Sequence, residues 1–201
     1  FCSHRQNPPE VEVFRISPRG RADIERALSF MDPERPVVIG ESVTRIIEGE
    51  PFTHPDLPEI LRQIRASLPR TAIQITTNGS LLDERAAFLL GRLGGVTVYL
   101  SLNSAREAGR AFLMADSKAR QAIESPALLK KHGVPFHGSV VAAPHLAGWD
   151  DLTETVNYLS ASGALSVRVF LPGYTRLAPP ALRFDPSLRE DLTAFMLKLR
   201  R

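Results

Sequence analysis

Strand-like apolar runs and helix-like amphipathic runs alternate along this chain five times, at intervals of about thirty residues. That interval is the length of one βαβ unit, so the strands are expected to lie parallel in one sheet. Right-handed crossovers then curl the sheet with its helices outside. The later strands are expected at 72–77, 96–102, 134–142 and 165–171, with helices at 56–68, 81–93, 117–131 and 153–162. Pro126 is expected to kink or divide the third of these helices. A helix is also expected at 20–31, and another after the Pro-rich stretch 177–186. Two runs compete for the first strand, 37–39 and 43–47; the second is preferred because it leads straight into Gly49-Glu50-Pro51. The 201 residues suffice for one sizeable core and are expected to form a single domain, 1–201.

The strand ends carry the residues of interest. Ligands of such sheets sit at the C-terminal ends of the strands, which here are Gly49-Glu50-Pro51, Thr77-Asn78-Gly79, Ser101-Leu102-Asn103, Val141-Ala142-Ala143 and Pro172-Gly173. The Gly-Glu-Pro corner is expected to leave backbone carbonyls and amides unpaired, as the wall of a small-molecule site. Taken singly, each has a plainer reading. Gly-Glu-Pro can simply end a strand, Asn-Gly is a common turn, and Ser101, Asn103 and Ser104 can cap the segment after them. Residues 105–116 read as a loose helix or insertion, with Phe112 and Met114 over the barrel mouth. Asp150 or Asp151 is expected to N-cap the helix after residue 148. Alternation places Ser166, Arg168 and Phe170 on one face of the last strand, where Arg168 needs either a salt bridge or an anionic ligand.

Composition removes several classes. The net charge of +3 is small, and the arginines are scattered instead of clustered, so nucleic-acid binding is not indicated. One Cys excludes an internal disulfide framework and makes a self-contained zinc site unexpected, since no two of the five His stand at H-x3-H spacing. No apolar run is long enough to span a bilayer and no signal-peptide pattern opens the chain, so a cytoplasmic location is expected.

In succession the strand-end motifs resemble the radical S-adenosylmethionine (radical SAM) family. Gly49-Glu50-Pro51 followed by His54-Pro55-Asp56-Leu57 resembles the family's Gly-Gly-Glu-Pro and His-Pro-x-Leu, with Glu48 in place of the first glycine. Thr77-Asn78-Gly79 resembles the family's turn after its third strand. Pro144 and Asp151 fit its Pro-Gly-x-Asn-Asp-x-x-Glu-Leu outline, from which His145 and Trp149 depart. Phe1-Cys2 matches the last two positions of Cys-x-x-x-Cys-x-aromatic-Cys. The resemblance implies strands two to six of a partial (β/α)6 TIM-type barrel, with the first strand and two further cysteines expected ahead of Phe1.

It also implies chemistry: a reduced [4Fe-4S] cluster passes one electron to SAM, and the resulting 5′-deoxyadenosyl radical takes a hydrogen atom from a substrate that nothing in the sequence signals. By resemblance, Cys2 ligates iron and Phe1 packs by adenine. The backbone of Gly49, Glu50 and Pro51 binds SAM's amino end, and Ser101 or Asn103 its carboxylate. An external electron donor such as ferredoxin or flavodoxin is implied as partner. Two rivals stand beside this reading. A phosphate-binding barrel lyase or aldolase wants a strand-end Lys, whereas Lys118, Lys130, Lys131 and Lys198 fall on helices. A non-catalytic barrel or scaffold that has lost its cluster is compatible with the single cysteine.

Overall fold

The computed structural model of the chain describes residues 19–40, 49–173, 178, 180 and 183–199. Its elements run α1 (Arg21–Leu28), β1 (Val37–Ile39), a 3-10 turn (Pro51–Thr53), α2 (Leu57–Ser67), β2 (Ile73–Thr77), α3 (Glu84–Leu93) and β3 (Val96–Ser101). They continue with α4 (Glu107–Met114), α5 (Ala119–Lys131), β4 (Phe136–Val141), α6 (Pro144–Ala147), α7 (Trp149–Ala161), β5 (Val167–Phe170) and α8 (Ser187–Leu199). The five strands form one parallel sheet in the order β1-β2-β3-β4-β5. Each strand therefore pairs with its predecessor through a helical crossover, as the thirty-residue period requires.

The two faces of the sheet differ because side chains alternate along each strand. One face buries Ile73 and Ile75, then Val96, Val98 and Leu100, then Phe136 and Val140. Helices cover it: α2 contributes Leu57, Ile60, Leu61 and Ile64 at helical spacing, all buried, while α5 adds Leu129 and α7 adds Leu152 and Leu159. Fully burying each such Leu or Ile stabilises the fold by roughly 1.5–3 kcal/mol. The opposite, open face contains no fully buried side chain in β2, β3, β4 or β5.

Local signals set the element ends. Asp83 caps α3 by accepting from the Ala86 amide at 2.8 Å. Beneath the sheet, Arg65 gathers the carbonyls of Leu68, Pro69 and Thr71 through Nη1 and that of Gly94 through Nη2, joining the chain entering β2 to the chain entering β3.

Two expectations change and two open readings narrow. The strand paired with β2 is Val37–Ile39, with Ile39 fully buried, and the preferred run 43–47 lies outside the described residues. Gly40 closes that strand at φ +88°, and a Cβ there would sit 2.2 Å from the Thr76 carbonyl and 3.1 Å from Pro51. Gly40 thus packs against the Gly-Glu-Pro corner. Pro126 lies inside α5 without dividing it. The N-cap position of α7 is Gly148, without a side-chain bond, while Asp151 is buried and bonded elsewhere. Finally, 107–114 is a regular helix whose Phe112 is 67% exposed.

Candidate functional site

At the C-terminal edge of the sheet, Glu50 joins two motifs that are separate in sequence. Its Oε1 accepts from the Thr77 hydroxyl at 2.7 Å and from the Phe52 amide at 3.3 Å, and its Oε2 accepts from the Asn78 amide at 2.7 Å. The Thr77 hydroxyl in turn accepts from the Gly79 amide at 3.0 Å, and Asn78 Oδ1 from the Ser80 amide at 2.8 Å. Gly-Glu-Pro and Thr-Asn-Gly are therefore one construction. Burial pushes the Glu50 carboxyl above its ordinary value, opposed by the hydrogen bonds from Asn78, Thr77 and Phe52 and by the Arg110 charge.

The backbone of this corner is more occupied than expected. The Glu50 carbonyl accepts from the Thr53 amide at 3.2 Å and the Thr53 hydroxyl at 2.6 Å, and the Pro51 carbonyl accepts from the His54 amide at 3.0 Å. Only the Gly49 carbonyl of the three receives no hydrogen bond among the described residues. Gly49 has φ +77°, and a Cβ there would meet nothing within 4 Å, so the position faces open space. His54 is 8% exposed: Nδ1 accepts from the Asp56 amide at 3.1 Å, which leaves Nε2–H to donate to the Arg19 carbonyl at 3.1 Å.

Arg110, which no sequence motif singles out, spans the next part of the edge. Its side chain is fully buried. Nε donates to Asp116 Oδ2 at 2.7 Å, Nη1 to the carbonyls of Ser101 and Leu102, and Nη2 to the Asn78 carbonyl and the Ser80 hydroxyl. All five guanidinium donors are thereby used, which a Lys could not reproduce. Burial pulls this guanidinium below its ordinary value, with Asp116 and Glu50 opposing. For Asp116 burial acts upward, but hydrogen bonds from Ser80, the Lys118 amide and Arg110 outweigh it and leave the carboxyl lowered. The available signal is an arginine on the same helical face as buried Leu113, three residues away.

Ser101 and Asn103 differ sharply. Asn103 is 8% exposed at φ +64°, with Oδ1 accepting from the Val141 amide and Nδ2 reaching Met114 Sδ, each at 2.8 Å. Its side chain ties β3 to the end of β4. Ser101 is half-buried on the open face, and its hydroxyl makes no hydrogen bond among the described residues. Ser104 donates to Asp151 Oδ1 at 2.7 Å, both residues being buried, and Gly109 packs where a Cβ would come within 2.4 Å of Ser104 Oγ. That contact joins the α4 helix to the Asp151 of α7.

The open face of β3, β4 and β5 holds a second cluster. The His137 ring stacks on Tyr99 with centroids 4.9 Å apart, and the Arg168 guanidinium carbon lies 5.1 Å from the Tyr99 centroid. Arg168 makes no ion pair among the described residues, which removes the salt-bridge alternative for it there. Phe1 and Cys2 lie outside the described residues, among which no group of three or more His, Cys, Asp or Glu could hold a metal ion. No helix among them is long and apolar enough to cross a membrane.

Comparison with known proteins bears on the family and the fold. The family model of the radical SAM superfamily matches residues 22–175. A GTP 3′,8-cyclase of Microcystis aeruginosa is 30% identical over 82 residues, covering 41% of this chain and 25% of that protein. GTP 3′,8-cyclase 1 of Mycobacterium tuberculosis is 45% identical over 51 residues, covering 23% of this chain and 14% of that protein. This chain thus spans a quarter or less of the curated relatives it matches. The crystal structure of Streptococcus suis SuiB bound to S-adenosylmethionine superposes with a TM-score of 0.64 at 16% identity, over 94% of this chain and 42% of that one. Native anSMEcpe with bound AdoMet gives 0.62 at 16% identity, over 86% and 49%. At that identity these two structures speak for the fold, a parallel α/β partial barrel.

Proposed function

The chain belongs to the radical SAM superfamily, and we propose that it is the SAM-binding core of a radical SAM enzyme. The observation that carries this reading is the strand-end construction in which Glu50 binds the Thr77-Asn78 turn while the Gly49 carbonyl stays free among the described residues. In this reading the Gly49 carbonyl accepts from the ammonium of SAM's methionine part. Glu50 and Pro51 act by fixing that carbonyl, since their own carbonyls are already bonded. The Ser101 hydroxyl donates to the SAM carboxylate, and Asn103 serves by holding β3 and β4 together beneath it. Bound SAM would supply, on one-electron reduction by an external donor with carbon–sulfur cleavage and loss of methionine, a 5′-deoxyadenosyl radical for hydrogen abstraction.

The residues of this chain fit SAM better than they fit an iron–sulfur cluster. A [4Fe-4S] cluster with an open iron calls for three thiolates, and this sequence has the single Cys2. Cys2 is proposed as one ligand and Phe1 as the neighbour of adenine. Ferredoxin or flavodoxin is proposed as electron donor and the cytoplasm as compartment. The named activity of the curated relatives places GTP among the substrates worth assaying.

Anaerobic reconstitution of the full-length protein with iron and sulfide tests the reading. Brown protein absorbing near 400 nm that releases 5′-deoxyadenosine from SAM under reduction is expected; colourless protein without that product would support the scaffold alternative.

A further inference from the structure

Strand register places Arg168 where a second ligand would lie. Ser101 pairs with Ser139, and Ser139 with Arg168, so these three stand in one rank across β3, β4 and β5 near the C-terminal edge. One rank below, Tyr99 pairs with His137, whose Nδ1 lies 2.8 Å from Ser166 Oγ. Same-face residues two apart along a strand are separated by about 6.6 Å, and neighbouring strands by about 4.8 Å. Arg168, Ser139 and His137 can therefore converge on one small group.

We propose that Arg168, Ser139 and His137 form a site for an oxyanion, a carboxylate or a phosphate, carried by the substrate. This rests on the SAM-binding reading above only for the word substrate; the anion site itself stands on the side chains. No open-face side chain of β1 to β5 is acidic, and Arg168 has no counter-ion among the described residues. Contact with Tyr99 fixes the guanidinium while leaving its edge donors without an acceptor among the described residues. His137 engages Ser166 through Nδ1, so Nε2 remains for the ligand. Burial and the Arg168 charge lower the His137 pKa, so it meets an anion as a neutral N–H donor while Arg168 supplies the charge. Two strand spacings, about 10 Å, separate Arg168 from Ser101. That spacing separates the two backbones, while the guanidinium leans over Tyr99 on the strand that carries Ser101, so competition with SAM is part of the test.

The test uses inorganic phosphate and acetate as probes, titrated separately into the protein without cluster or SAM while the His137 ring resonances are followed by NMR. At least one anion should give saturable shifts, weakened tenfold or more by Arg168→Gln and less by Arg168→Lys, which keeps the charge but not the fork. The tighter probe names the source, phosphate a nucleotide-type substrate and acetate a carboxylic or peptide one. Arg168→Gln is expected to keep the wild-type thermal midpoint, and the Lys variant provides the reading if it does not. Non-saturable shifts, or shifts unchanged in both variants, would overturn the site. Stoichiometric displacement of the anion by SAM would also overturn it, since Arg168 would then read SAM's own carboxylate. None of these outcomes depends on SAM cleavage, so the site and the enzymatic reading can fail separately.

Discussion

The two halves of the sheet's C-terminal edge are built on opposite principles. Across β1, β2 and β3, buried polar groups are paired internally: Glu50 holds the Thr77-Asn78 turn, and Arg110 gathers three backbone carbonyls and Asp116. Across β4 and β5 the polar groups face outward, and Arg168 rests on Tyr99 without an acid among the described residues. A largely bonded edge holds one shape and leaves the Gly49 carbonyl and the Ser101 hydroxyl without partners among the described residues, which suits a ligand that is always held in the same way. An open edge has donors to spare, which suits a ligand particular to this protein.

The strongest way to break that contrast is Arg110→Ala. It leaves Asp116 and three carbonyls without their partner, and loss of one member of a buried pair costs about 3–5 kcal/mol. Urea unfolding should register that loss, and a change under about 1 kcal/mol would mean the latched half is not latched. Gly109→Ala comes next, because its Cβ would press on Ser104 Oγ and Asp151 Oδ1, at 2.4 and 2.8 Å. Overpacking of this kind costs about 1–3 kcal/mol, readable as a lower thermal midpoint.

Glu50→Gln sharpens the contrast through pH. The folded-state pKa of Glu50 lies above its ordinary value of 4.5, so the folded protein holds this proton more tightly than the unfolded chain does. The stability so contributed is fully present below the ordinary value and is lost as pH rises through the raised one. The difference in stability between wild type and Glu50→Gln should therefore change across that interval, and a difference constant from about pH 4 to 8 would contradict it. Smallest of all, Arg168→Ala should alter unfolding stability by no more than about 0.5 kcal/mol, since it removes an exposed side chain with no ion pair among the described residues.

Periodicity is enough to read the sheet, because helices and parallel strands are encoded by local spacing: the Leu57, Ile60, Leu61, Ile64 face of α2 and the alternation of 73–77 are both visible in sequence. The first strand is misread because nearness in sequence to Gly-Glu-Pro favours the later run, whereas Val37–Ile39 is the run that pairs with β2. Gly40 reaches Pro51 across the intervening residues instead. Individual turns can be named, yet the Glu50 bond that unites two of them spans 27 residues and has no local signature. Arg110 escapes notice for the same reason, since its carbonyl partners belong to the ends of β2 and β3 and the loops after them. Asp151, expected to cap its own helix, answers to Ser104 at a separation of 47 residues.

Whether this edge serves SAM is the central question. Release of 5′-deoxyadenosine by the anaerobically reconstituted full-length protein, compared with its Cys2→Ala variant, measures that directly. Reductant-dependent release that the variant abolishes is predicted. Wild-type protein that carries a cluster and yet neither binds nor cleaves SAM would contradict it.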